Sequence, residues 1–268
     1  MTSDIVLDAL RGVIDPDLGR NIVALGFVKN LVIDGGVVSC DIELTTPACP
    51  VKDQMKAQAE GLVRGLAGVT DVRITMTARV RSVSATNPSA PPIPGVRNVI
   101  AVGAGKGGVG KTTVAVNLAL ALAKTGCRVG LLDGDIYGPN VPIMLGLQAQ
   151  LESDGQRIRP AEKYGLQVVS IGFMTGQDTP VIWRGPMLHS AIRQFFHEVA
   201  WRELDYLIID MPPGTGDVAL SLAQTVPVAG AIVVTTPQQV SLADSRRAIR
   251  MYEKLNIPAL GIVENMSY

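Results

Sequence analysis

The sequence predicts an α/β protein: a doubly wound, mostly parallel sheet carrying a phosphate-binding loop, preceded by a small α+β unit. Three observations predict it. The apolar run Val99-Ile100-Ala101-Val102 leads through Gly105-Lys106-Gly107-Gly108-Val109-Gly110-Lys111-Thr112-Thr113 into a helix-like run from Val114 to Ala123. That is the strand, loop and helix context of G-x-x-x-x-G-K-[ST]. From Asn98 onward strand-like and helix-like runs alternate, the pattern of a parallel sheet covered on both faces. Residues 82–96, SVSATNPSAPPIPGV, hold four prolines, three serines and no charge, which suits a partly extended spacer. The expected division is therefore 1–81, a linker at 82–96, and 97–268.

Composition agrees with a two-unit protein of a reducing compartment. The chain has 268 residues, 47% hydrophobic and 18% charged, enough for a large core. Its formal charge is zero and its pI about 6.7, so nothing global favours nucleic acid or membrane surfaces. The start, MTSDIVLDAL, lacks a basic segment followed by a sustained apolar one, and no run approaches the roughly 20 apolar residues of a membrane span. Three scattered cysteines, Cys40, Cys49 and Cys127, do not make a disulfide framework. Cytoplasmic localisation is the expectation.

In the front unit a helix is expected over Ile5 to Ile14, capped by Ser3, and a strand within Ile22 to Ile33. Asp34-Gly35-Gly36 then turns the chain into a hairpin strand, Val37 to Leu44. In that strand Val38, Cys40, Ile42 and Leu44 share one face, which reads Cys40 as core. A helix from Val51 to Leu66 and a strand from Val72 to Ala78 complete the unit. Cys49 precedes Pro50, a residue suited to the first helical position, so its sulfur would stand where a cap side chain stands. Two readings stay open there: a thiolate stabilised by the helix dipole, or a small buried residue.

The loop residues divide the work of holding a nucleoside triphosphate. Gly107, Gly108 and Gly110 permit backbone angles that turn successive amides, Val109 included, onto a phosphate chain, and the following helix adds its positive end. Lys111 is expected along the β and γ phosphates, Thr112 in the shell of a magnesium ion, and Thr113 toward the α-phosphate. Lys106 is not required to hold nucleotide within one chain. Later strands, Val129 to Leu132 and Tyr206 to Ile209, end in Asp133-Gly134-Asp135 and Asp210. Ligands in such sheets bind beyond the carboxyl ends of strands, so Asp133, Asp135 and Asp210 should converge on the loop; Asp133 and Asp210 are the expected metal contacts, directly or through water.

KGGVGKTT resembles the deviant Walker A loop of the dimerising ATPases that include MinD, ParA, the nitrogenase iron protein and the Mrp/ApbC iron-sulfur carriers. The resemblance implies that Lys106 crosses a homodimer interface to the partner's nucleotide, much as an arginine finger does. It also implies that Asp210 is the Walker B carboxylate, that Asp135 orients or deprotonates the attacking water, and that Asn265 in ENMS meets the adenine edge, where an amide offers both donor and acceptor. DGDIYGPNVPIMLG, VIWRGPM at 181–187 and the front unit, with Asp15-Pro16 and LTTPACP, are similar to the Mrp/ApbC branch. Cys49 matches that unit's candidate cysteine for cluster or metal contact. The implied function is a slowly hydrolysing, ATP-binding homodimer that carries a [4Fe-4S] cluster to apo-acceptors and works with scaffold proteins.

One departure bears on that implication. The family carries Cys-Pro-x-Cys shortly after ENMSY, whereas this sequence ends at Tyr268 and has no Cys-x-x-Cys. Four thiolates are the usual cluster set. The expectation is a chain truncated before that pair; use of Cys49, or action without its own cluster, are the alternatives. His189 and His197, on an expected helix from Pro186 to Ala200, lack companions at ligand spacing and read as packed or solvated. Arg246, Arg247, Arg250 and Lys254 form a basic stripe beside Leu242, Ile249 and Tyr252. Such a stripe is ordinarily a solvated flank, and it is also the feature favouring the alternative function, a ParA/MinD-like positioning ATPase that binds DNA or membrane.

Overall fold

The structure, a computed structural model, describes residues 1–80, 82, 91–135, 138–148, 152–153, 157–170, 173, 198–216, 220, 223 and 225–268. It divides into two compact units, Met1–Arg81 and Ser82–Tyr268. In the first, α1 (Ser3–Leu10) and α2 (Lys52–Arg64) accompany the strands β1 (Val28–Asp34), β2 (Val37–Leu44) and β3 (Asp71–Ala78). β1 pairs antiparallel with β2, and β2 parallel with β3. The hairpin turn uses Gly35 at φ 53° and Gly36 at φ 92°, angles that favour glycine. Cys40 lies in the core with Val38, Ile42 and Leu44 on the inward face of β2. Burial raises its thiol to about 11, with a contribution from the Asp41 charge.

Two local expectations in this unit change. Helix α1 begins at Ser3 and stops at Leu10, Thr2 holds the cap position without a side-chain bond, and Ile14 joins a two-residue strand pair with Asn21. The helix closes in a tightened last turn at Arg11-Gly12, where the Gly12 and Val13 amides donate to the Ala9 and Leu10 carbonyls, and glycine is a poor residue for continuing a helix. Helix α2 begins at Lys52, and Val51 is its cap residue. Cys49 instead sits half-buried in a turn in which Thr46 Oγ1 accepts from the Ala48 amide and the Cys49 carbonyl accepts from Lys52. Cys49 is thus three residues ahead of the helix, off the capping position from which the dipole argument started.

The second unit is built on seven strands: β4 (Val96–Ala104), β5 (Val129–Asp133), β6 (Ala161–Lys163), β7 (Leu166–Ser170), β8 (Leu204–Asp210), β9 (Val228–Thr235) and β10 (Ala259–Glu264). Their order is β6-β7-β5-β8-β4-β9-β10. Only the β6 edge pairs antiparallel. Side chains alternate between two apolar layers. Leu207 and Ile209 face the layer that holds Met251 and Tyr252 of α5 (Gln239–Lys254); Ile208 faces the layer that holds Ala115, Val116 and Ala119 of α3 (Lys111–Lys124). Each of these fully buried strand residues contributes about 2 kcal/mol by leaving water, so the central strands hold the carboxyl end of the sheet rigidly. Ile93, in the proline-rich segment, is buried in the same core. The short α4 (Val141–Leu145) follows β5.

Candidate functional site

The site forms where β4, β5, β7 and β8 end together. Ser170, Asp133 and Asp210 are level across β7, β5 and β8, and Asp210 is also level with Val102 of β4. The loop from Gly105 to Gly110 leaves β4 just above them. Gly108 has φ 79° and Gly110 φ 88°, whereas Gly107 stays out of the left-handed region and is exposed. Gly105 is required for a different reason: a Cβ there would strike the Asp244 carbonyl and Ser245 amide in the backbone of α5. Small Ser241, Ser245 and Ala248, together with Met251 and Tyr252, form the buried face of that helix. Leu242 and Ile249 are only part-buried, and Arg246, Arg247, Arg250 and Lys254 face solvent, with Arg247 bonded to Asp244 at 2.9 Å.

Lys111, the first residue of α3, is 6% exposed despite its charge. Its Nζ lies 2.7 Å from Asp210 Oδ1 and 3.5 Å from Asp135 Oδ2. Thr112 Oγ1 donates to Asp210 Oδ2 at 2.7 Å. Asp210 therefore gathers the ammonium and hydroxyl of the loop that is expected to hold phosphate. Burial pushes the Asp210 carboxyl up; the Lys111 charge and the Lys111 and Thr112 bonds pull it down, Asp135 pushes it up again, and the net direction is upward.

Asp133 is 1% exposed. Its Oδ1 accepts from the Asp135 amide at 3.2 Å, and its Oδ2 accepts from the Val141 amide at 3.1 Å and from Ser170 Oγ at 3.0 Å. Burial first and the Asp210 charge second raise its carboxyl to about 7, against the pull of those three bonds. Lys106 is part-exposed and makes no ion pair among the described residues. Thr113 is exposed, and its carbonyl accepts from Asn117. Asn265 Nδ2 donates to the Val109 carbonyl at 2.9 Å, and its backbone amide donates to Thr235. A Cβ on Gly110 would collide with the Asn265 side-chain Nδ2, so Asn265 and Gly110 fit as a pair.

Geometry brings Lys111, Thr112, Asp133, Asp135, Asp210 and Asn265 into one neighbourhood, while Cys49 belongs to the other unit. Sequence reasoning missed Ser170 and Ser245. Ser170 ends the apolar run Leu166–Ser170 as Asp210 ends its own strand, a signal readable from the sequence; Ser245 carries none, because its role is to let a helix approach Gly105. His189, His197, most of their expected helix and VIWRGPM lie outside the described residues. No group of three or more His, Cys, Asp or Glu among the described residues is arranged to hold a metal by itself. No helix among them is long and apolar enough to cross a membrane.

Comparison with known proteins follows the same two units. The family described as NUBPL iron-transfer P-loop NTPase matches residues 95–268, and the iron-sulfur cluster assembly protein family matches residues 3–76. The iron-sulfur cluster carrier protein of Synechocystis sp. is 50% identical over 273 aligned positions, covering 100% of this chain and 77% of that protein. The iron-sulfur cluster carrier protein of Deinococcus radiodurans is 51% identical, covering 99% of this chain and 75% of its own length. A nucleotide-binding protein from Archaeoglobus fulgidus, solved in complex with ADP, superposes with a TM-score of 0.57 at 41% identity, over 65% of this chain and 68% of that one. With both units matched in order and half of all positions identical along the full chain, this protein belongs to the Mrp/ApbC-type iron-sulfur cluster carriers, P-loop NTPases with an iron-sulfur assembly domain in front.

Proposed function

We propose that the protein binds and slowly hydrolyses ATP as a cytoplasmic homodimer and delivers [4Fe-4S] clusters to apo-proteins, in concert with scaffold proteins. The observation that carries the reading is the Lys111–Asp210–Thr112 cluster under the glycine loop, in a chain that aligns from end to end with iron-sulfur carriers. A carboxylate and a hydroxyl 2.7 Å apart are hard oxygen donors, the type Mg2+ takes alongside phosphate and water. Thr112 and Asp210 would hold that ion, which neutralises charge on the β and γ phosphates when bound.

The chain's own residues do the rest. The amides from Gly105 to Thr113 cradle the phosphates, and Lys111 exchanges carboxylates for phosphate oxygens. Asp135 orients the attacking water. Lys106, in no ion pair among the described residues, reaches the partner's terminal phosphate, and Asn265 places its amide at the adenine edge. The cluster is cargo. Its usual Cys-x-x-Cys is absent from this sequence, and of the three cysteines only Cys49 is less than fully buried, which makes it the candidate cluster or iron contact.

Anaerobic reconstitution of the full-length protein with iron and sulfide tests the reading. About four irons per dimer and transfer to an apo-acceptor are expected. Failure of both, together with ATP-dependent and salt-sensitive co-sedimentation with DNA or lipid, would favour a positioning ATPase instead. The exposed arginines of α5 are the feature that reading would use.

A further inference from the structure

We propose that Asp133 is not a magnesium ligand but a positioning residue, a latch that ties the catalytic-aspartate loop to helix α4 and to strand β7. The inference rests on the ATPase reading above and adds to it a device that holds Asp135 in register. Asp133 and Asp210 are both buried and level on neighbouring strands. What separates them is the identity of their partners. Asp210 is bonded to Lys111 and Thr112, phosphate-loop side chains that can transfer to phosphate and metal.

Asp133 is bonded to the amide of Asp135, the amide of Val141 at the start of α4, and the hydroxyl of Ser170 at the end of β7. None of these donors belongs to the phosphate loop. The Asp135 and Val141 amides bracket the segment that carries Asp135, so one carboxylate fastens both sides of it. From the other flank the Gly134 amide donates to the Asp210 carbonyl. Asp135 is thereby held between β5 and β8 while its carboxylate reaches Lys111. Oδ2 already accepts two bonds, so a metal taking that oxygen would release the Val141 amide or the Ser170 hydroxyl, and an unsatisfied buried donor is costly; a metal on Oδ1 would have to share it with the Asp135 amide.

An asparagine at 133 has one carbonyl oxygen to serve both sides, so either the Asp135 or the Val141 amide is left without its acceptor. The test compares the parent with Asp133→Asn and Ser170→Ala. The Mg2+ concentration for half-maximal hydrolysis and the KM for ATP should stay within about threefold in both, while kcat falls at least about tenfold in Asp133→Asn and about threefold in Ser170→Ala. Amide hydrogen exchange at Asp135 or Val141 should accelerate in the folded variants. A tenfold or greater rise in the Mg2+ requirement of Asp133→Asn would make Asp133 a ligand and overturn the proposal. Should Asp133→Asn fail to fold, an unchanged kcat and unchanged exchange in Ser170→Ala would overturn it. A parent without hydrolysis would sink the ATPase reading instead, and the exchange data would still decide the latch.

Discussion

Strand β8 ends in two ionic clusters that differ in kind. At its amino end Asp205 Oδ1 lies 2.8 Å from Arg97 and 3.2 Å from Arg128, whose second contact is Glu203 at 2.8 Å. Two arginines meet two carboxylates. Burial by itself would raise Asp205, but the side-chain and backbone bonds from Arg128, and the charges of Arg128 and Arg97, hold it below the ordinary carboxylate range. At its carboxyl end Asp210 shares one lysine with Asp135, and Asp133 is level with it. Both Asp133 and Asp210 are pushed up. The balanced, part-exposed cluster clasps β4, β5 and β8. In the acidic, buried one, carboxylates outnumber cations among the described residues, a setting suited to cations from outside, because buried carboxylates are costly until paired.

The comparison breaks first if the lysines of the loop are equivalent. Lys111→Ala should weaken ATP binding at least about 100-fold, or about 2.7 kcal/mol, read by nucleotide titration. Lys106→Ala should leave affinity within about threefold and cut hydrolysis about tenfold. Equal losses of binding would contradict the separate roles.

A smaller effect tests the clasp. Asp205→Asn removes the negative charge and one of the two acceptor oxygens that face two arginines, and should cost the second unit about 2 kcal/mol, less than a fully buried pair because both arginines are partly exposed. Calorimetry should show the lower melting temperature with unchanged ATP affinity. Loss of affinity alone would mean the amino end communicates with the site.

The smallest effect is in pH, and the two ends oppose each other. Asp205 has a depressed folded value, so its stabilisation is complete above the unfolded value of about 4 and is lost as pH falls through the folded one. Asp133 is raised to about 7; between about 4 and 7 the native state keeps a proton the unfolded chain has released, so stability declines as pH rises. The urea midpoint of nucleotide-free protein should therefore fall modestly from about pH 5 to about pH 7.5, and Asp133→Asn should flatten the fall. A midpoint that rises across this range would show that the raised Asp133 does not govern it.

Much of this was legible in the chain. The glycine loop, the strand-ending aspartates and the Asp34-Gly35-Gly36 hairpin are local patterns, and each is found in the expected element. Cys49 was misplaced because a proline is compatible with a first helical turn and with the turn before it, and the Thr46 and Lys52 bonds decided between them. Of the apolar face read on α5, Tyr252 is buried while Leu242 and Ile249 are only part-buried; Ser241, Ser245 and Ala248 complete the buried face, because hydrophobicity alone does not register that Gly105 needs small neighbours.

Residue order alone therefore determined the fold class, the phosphate loop and the strand-end carboxylates, since backbone angles, apolar periodicity and short-range turns are set by neighbours in the chain. Only the tertiary structure decided that Ser170, Asp133 and Asp210 stand level, that Lys111 pairs with two aspartates, and that Asp133 bonds inward to α4 and β7. Strand register and the choice of hydrogen-bond partner depend on segments far apart in sequence, and no local pattern encodes which distant donor a buried carboxylate will meet.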